Sequence, residues 1–312
     1  MLSGFILNYV YLKEKRVKWG EYFNARFARI CPLYYAGLFA MLAMNLGAAW
    51  LDHHPSPDLK ASIIIPNLAM VQEWPVFGFV PSINVPSWSI SVEVFLYIFL
   101  FPFFAFIMAR RRLPKAVSLV ILLAALVADF MVSRDVAHPL PFEYSGLVRG
   151  IAGFTVGFLI CELIHKRDAP LMPAPAEAIL GLMVLALLPF NGLHPLLPIA
   201  FAALIAVTYS PASCLGRILG SPLFAYLGAL SYSVYIWQAP VIKACTLAFA
   251  MRQVGGEELD MHATVWHKVL YCVGTPLALA LIANLSYYAF ETPVRRILRG
   301  RARDRMPVPR PA

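Results

Sequence analysis

The stretch PSWSISVEVFLYIFLFPFFAFIM, residues 86–108, decides the fold class. Nothing in it after Glu93 is charged. At ~1.5 Å per residue, positions 87–108 can cross a hydrocarbon core roughly 30 Å thick. The pattern recurs at 31–51, 115–132, 147–165, 176–190, 196–210, 223–243 and 267–290, with a shorter run at 1–12. About nine spans, the first one partial, predict an all-α, polytopic transmembrane helical bundle. Composition agrees: 60% of the 312 residues are hydrophobic and 14% charged, whereas about a quarter of a soluble domain is charged. The ten-residue alternation of a membrane β-barrel is absent.

Charge sets the expected topology. Twenty of the 26 Lys and Arg residues fall in alternate loops and the C-terminal tail: Lys13 to Arg29, Arg110 to Lys115, Lys166 and Arg167, Arg217, and Arg295 to Arg310. An excess of basic residues marks the cytoplasmic side. The N-terminus is therefore expected outside and the basic tail, 294–312, inside, after one transmembrane domain over 1–293. Were 61–80 a full crossing, every later loop would change sides. Pro66, Glu73 and Pro75 interrupt it, so a re-entrant or interfacial segment on the outer face is predicted. The net charge of +9 reflects this sidedness and not a nucleic-acid partner. The tail suits the anionic inner leaflet or a disordered segment.

Five cysteines at irregular spacing, with no CxxC pair, argue against a disulfide framework or a zinc site. No metal spacing, phosphate loop or nucleophile elbow is present. No secretory signal peptide is expected ahead of the first apolar run.

Polar residues inside spans are costly and call for a reason. Ser89, Glu93 and Tyr97, four apart, share one helix face. Ser87 and Ser91 suit a helix N-terminus, where hydroxyls cap free N–H groups. Glu93 lies too deep for capping and reads as a site or polar-network residue. Gly228, Ser231, Tyr235 and Gln238 form a second polar stripe, either interhelical glue or a cavity lining. Arg149 heads a glycine-spaced helix (Gly150, Gly153, Gly157), where it either snorkels or functions. Arg26 and Arg29 stand where the first inner loop meets a span, suited to bidentate phosphate contacts.

Taken in order, these residues resemble the membrane acyltransferase 3 family. The resemblance rests on Leu2-Ser3-Gly4-Phe5-Ile6, Arg26-x-x-Arg29-Ile30-x-Pro32-Leu33-Tyr34, Pro86-Ser87-Trp88-Ser89-Ile90-Ser91-Val92-Glu93 and Arg149-Gly150. It continues through Leu227-Gly228-x-x-Ser231-Tyr232-Ser233-Val234-Tyr235-Ile236-Trp237 and Glu291-x-Pro293. It implies a multi-pass enzyme of the bacterial inner membrane that moves an acyl group, commonly acetyl, from cytosolic acyl-CoA to a sugar hydroxyl of an envelope glycan or glycolipid. No metal is implied. Arg26 and Arg29 would hold donor phosphates. Glu93, Ser89 and Arg149 would be catalytic, and Trp88, Ser91, Ser231, Tyr235 and Gln238 would line the site.

Two departures stand out. The family's general-base histidine, in an Arg-x10-His arrangement, lies ahead of the Ser-Gly-Phe segment with which this sequence opens. After the Tyr-Ile-Trp element, Gln238 stands where the family often has histidine, and Gln does not accept a proton near neutral pH. The expectation is that Met1 is a misplaced start or a truncation and that these residues alone are inactive. The competing readings are a non-catalytic membrane component and a transporter handling a lipid-linked glycan. An upstream in-frame helix carrying Arg and His would favour the enzyme.

Overall fold

The structure, a computed structural model, describes residues 1–14, 17–52, 59–77, 80–110, 114–134, 142–165, 169–250 and 265–299. Helices account for the described fold, and no strand occurs among those residues. The first is α1 (Leu2–Leu7), prolonged by a wider π-type turn over Asn8–Glu14. Then come α2 (Trp19–Asp52), α3 (Ala61–Leu68), α4 (Trp88–Phe95) and α5 (Phe101–Arg110), with α4 and α5 joined by a π segment, Leu96–Leu100. The series continues with α6 (Lys115–Arg134), α7 (Phe142–Ile164), α8 (Ala174–Leu187), α9 (Leu197–Thr208), α10 (Cys214–Leu219) and α11 (Pro222–Ala250). Last come α12 (Val265–Ser286), a π segment Tyr287–Glu291, and α13 (Thr292–Arg299).

Among the described residues, five stretches are long and apolar enough to cross a membrane: Trp19–Trp50, Val85–Ala109, Lys115–Val132, Gly146–Ile164 and Val269–Leu298. Two shorter apolar helices, Ala174–Leu187 and Gly192–Thr208, accompany them. Bulky apolar side chains of α6, α8 and α12 (Val120, Val127, Leu182, Leu185, Leu277, Leu281) face outward. Water would not tolerate so continuous an apolar exterior; lipid does.

Two π segments have a visible cause. Leu96–Leu100 and Tyr287–Glu291 each end two residues before a proline, Pro102 and Pro293. A proline ring displaces the carbonyl four residues back, and a wider turn absorbs the displacement.

The first inner loop is shorter than expected. Residues 19–30, read from their polarity as loop, are helical and continuous with 31–51, so Arg26 and Arg29 stand on a helix. Within the 61–80 segment, residues 61–77 form an eight-residue helix and turns, the helix too short to cross. Polar side chains pin it. Asn67 Nδ2 donates to the Ile63 and Pro81 carbonyls (2.9 Å each) and its Oδ1 accepts from the Ile83 N–H at 3.1 Å. Tyr34 donates to the Asn67 carbonyl at 2.6 Å.

Lys13, the start of α2 and the end of α13 lie at one end of the bundle. Lys13 pairs with Glu162 at 2.7 Å, Tyr22 stacks on Phe101, and Asn24 Nδ2 donates to the Leu298 carbonyl at 3.1 Å. At the other end Gln72, in the turn after α3, meets Ser87 at the start of α4, and Lys243 bonds Asn45.

Candidate active site

Between the two ends α1, α2, α4 and α11 bring polar side chains together around Glu93. Its Oε1 accepts a hydrogen bond from the Tyr97 hydroxyl one turn along and another from Ser3 Oγ at 3.3 Å. Ser3 reaches it because α1 packs closely on α7: a Cβ on Gly4 would collide with the Phe154 carbonyl. Two hydroxyls thus satisfy the carboxylate, the environment in which a partly buried acid is tolerated.

Tyr97 links this acid to Arg26. Its ring lies beneath the Arg26 guanidinium, 5.6 Å from the ring centre, and its own carbonyl accepts from the Tyr22 hydroxyl at 3.0 Å. Arg26 Nε is buried and makes no hydrogen bond to a described residue. A desolvated guanidinium held by an aromatic face retains its charge, and its Nε is open to an anion.

Toward the other end, Ser89 Oγ and the Tyr235 hydroxyl are 2.6 Å apart, and both face the Pro86 carbonyl. Ser91, on the neighbouring face, accepts from the Glu73 N–H at 3.1 Å, while its carbonyl accepts Trp74 Nε1 at 3.1 Å. Gln72 Nε2 donates to the Ser87 carbonyl at 3.2 Å. The segment after α3 is thus clipped to the first turn of α4, which fixes the angle at which Ser89 and Glu93 enter the bundle. Burial pushes the Glu73 carboxyl above the usual carboxylate range.

The remaining sequence-derived residues lie elsewhere. Arg149 pairs with Asp129 of α6 at 3.7 Å, Arg149 half exposed and Asp129 buried. It adjoins the cluster through Gly150, whose missing side chain leaves room for Val92. Trp88 packs on Gly146 in the same α4–α7 seam. Arg29 is exposed, with its charge in range of Glu291. Ser231 is exposed and bonds the carbonyl of its own Gly228 at 2.7 Å, as a hydroxyl inside a helix commonly does. Gln238 is half buried and makes no side-chain hydrogen bond to a described residue. Of the histidines whose side chains are described, His194 bonds the Leu188 carbonyl and His165 lies at the far end of α7 beside Tyr209; neither stands in the cluster. His53, His54, His138 and His262 lie outside the described residues. No metal-binding group of side chains occurs among the described residues.

Sequence reasoning passed over Ser3, Tyr22, Asp129 and Gln72. Asp129 alone had a local signal, as an acid inside the apolar run 115–132.

A family model described as an acyltransferase domain matches residues 1–287. The peptidoglycan O-acetyltransferase OatA of Listeria monocytogenes is 23% identical over 95% of this chain and 50% of its own length. The exopolysaccharide production protein ExoZ of Rhizobium meliloti is 29% identical over 97% of this chain and 89% of its own. The O-acetyltransferase OatA of Staphylococcus aureus is 22% identical over 67% of this chain and 36% of its own. The chain thus spans about half the length of the Listeria relative and less of the Staphylococcus one. No solved structure matches.

Proposed function

The chain belongs to the acyltransferase 3 family of acyltransferase domains, and from that premise we propose that it is a membrane O-acetyltransferase of cell-envelope polysaccharide using an acyl-CoA donor. One observation carries the assignment: a single buried tyrosine, Tyr97, holds the Glu93 carboxylate on its hydroxyl and the Arg26 guanidinium over its ring. A site for donor phosphates and a central acid are thereby one side chain apart. The printed functions of the Listeria and Rhizobium relatives, peptidoglycan O-acetylation and exopolysaccharide production, support the acceptor class.

In this account the arginine-rich end faces the cytosol, where acyl-CoA is found, and the membrane is the bacterial inner membrane. Arg26, assisted by Arg29, binds donor phosphates. The thioester reaches past Tyr97 toward Glu93. The acceptor hydroxyl oxygen bonds to the thioester carbonyl carbon, its proton passing to a base, and a tetrahedral oxyanion forms. The C–S bond then breaks, and the CoA sulfur leaves and takes up a proton. Ser89 and Tyr235 supply hydroxyls toward the acceptor side, where donors to a developing oxyanion lower the barrier. Arg149, held by Asp129, orders the α7 wall; Trp88 and Ser91 fix the entry of α4, and Ser231 and Gln238 extend the α11 wall.

Labelled acetyl-CoA incubated with membranes containing the protein is expected to label envelope polysaccharide. Glu93→Gln is expected to lower the rate at least ~100-fold, the scale of a lost acid–base group. Undiminished transfer by that variant would remove Glu93 from the chemistry.

A further inference from the structure

The helix α13 lies along the turns of α2 that carry Arg26 and Arg29: Asn24, between Tyr22 and Arg26, donates to the Leu298 carbonyl at 3.1 Å. At its start Arg295 reaches back one turn to Glu291 at 3.7 Å. The other oxygen of Glu291 accepts Ser233 Oγ at 2.8 Å, which fixes the carboxylate against α11. The Glu291 side chain is buried, that of Arg295 is partly buried, and the charge of Arg29 also falls in range of Glu291. Glu291 is paired with Arg295, Arg29 is exposed, and Arg26, one turn before Arg29, has a buried Nε without a described partner. Three guanidinium groups against one carboxylate leave this cluster net positive, which suits an anion.

We propose that α13 is part of the donor site: Arg295, oriented by Glu291, joins Arg26 and Arg29 in a three-guanidinium clamp on the phosphate groups of a nucleotide-bearing acyl donor. The proposal rests on the acyl-CoA reading above and extends it to a residue beyond the last span. Glu291 acts as a positioning residue, holding Arg295 in the direction of α2 when no donor is bound. The same chemistry fits phosphate from an anionic lipid headgroup, and the composition of the vesicle separates the two sources.

The full chain, reconstituted in neutral phosphatidylcholine vesicles, is titrated with CoA. Wild type is expected to bind. Arg26→Ala and Arg295→Gln are each expected to weaken binding about tenfold, the scale of one charge-assisted contact. The preference for acetyl-CoA over S-acetylpantetheine, which has the thioester without phosphates, is expected to fall in step; a merely structural role for Arg295 would affect both donors alike. If Arg295→Gln does not fold, Arg295→Lys keeps a charge over Glu291 and is expected to bind CoA several-fold less tightly than wild type, because an ammonium lacks the two-pronged fork. Wild-type affinity in the folded Arg295 variant, with Arg26→Ala weakened, overturns the part given to α13 and leaves the donor reading standing. No CoA binding by wild type overturns both. An effect of Arg295→Gln seen only as lost retention on phosphatidylglycerol vesicles assigns the arginine to lipid and overturns the proposal.

Discussion

Taking one oxygen atom from Tyr97 would leave Glu93 with Ser3 as its remaining hydrogen-bond donor among the contacts seen here. The ring beneath Arg26 would stay. Tyr97→Phe is therefore expected to lower kcat about tenfold, since a hydrogen bond to a charged group is worth about 1.5–3 kcal/mol, while the donor KM changes little. Steady-state rates with varied acetyl-CoA check this, and an unchanged kcat would show that the hydroxyl does not support the site. At this scale much was legible in the sequence. An acid deep in an apolar run marks itself, and Tyr97 falls four residues on. Ser3 and Tyr22 were not, because each meets α4 from far away along the chain and an ordinary serine or tyrosine gives no local sign of it. Arg149 was legible as a charge near a span edge, but its partner decides its position, and that partner is on another helix.

Among the helices, α1 and α7 are held together by the absence of a side chain. A methyl group on Gly4 would run into the Phe154 carbonyl, a backbone oxygen with no rotamer to move into. Gly4→Ala is expected to destabilise the fold by about 1–3 kcal/mol, the usual cost of overpacking. It is also expected to carry Ser3 away from Glu93. A thermal midpoint in detergent equal to wild type would refute the close packing of these helices. Helical class was readable from apolar runs of membrane length, as was the interruption at Pro66 and Pro75. The extension of α2 back to Trp19 was not, because polarity was taken as loop. Yet 21–31 contains neither glycine nor proline, and tertiary packing of Tyr22 on Phe101 rewards the helix there. The π segments follow from Pro102 and Pro293 only once the helices around them are known.

For the whole molecule, the arrangement depends on the arginine-bearing end facing the donor compartment. Lys18 is exposed at that end. A cysteine placed there, with the five native cysteines replaced, is expected to resist a membrane-impermeant maleimide in intact cells and to react after permeabilisation. Reaction in intact cells would reverse the topology inferred from the basic loops. The proposed function separates two jobs along one axis, with donor phosphates at Arg26 and chemistry at Glu93, and the clearest measurement reads both in one assay. With acetyl-CoA as the varied substrate, Arg26→Ala is expected to raise the donor KM about tenfold with little loss of kcat, and Glu93→Gln to abolish most of kcat with little change in KM. Variants that alter the same parameter, or an Arg26→Ala enzyme with an unaltered donor KM, would contradict the account.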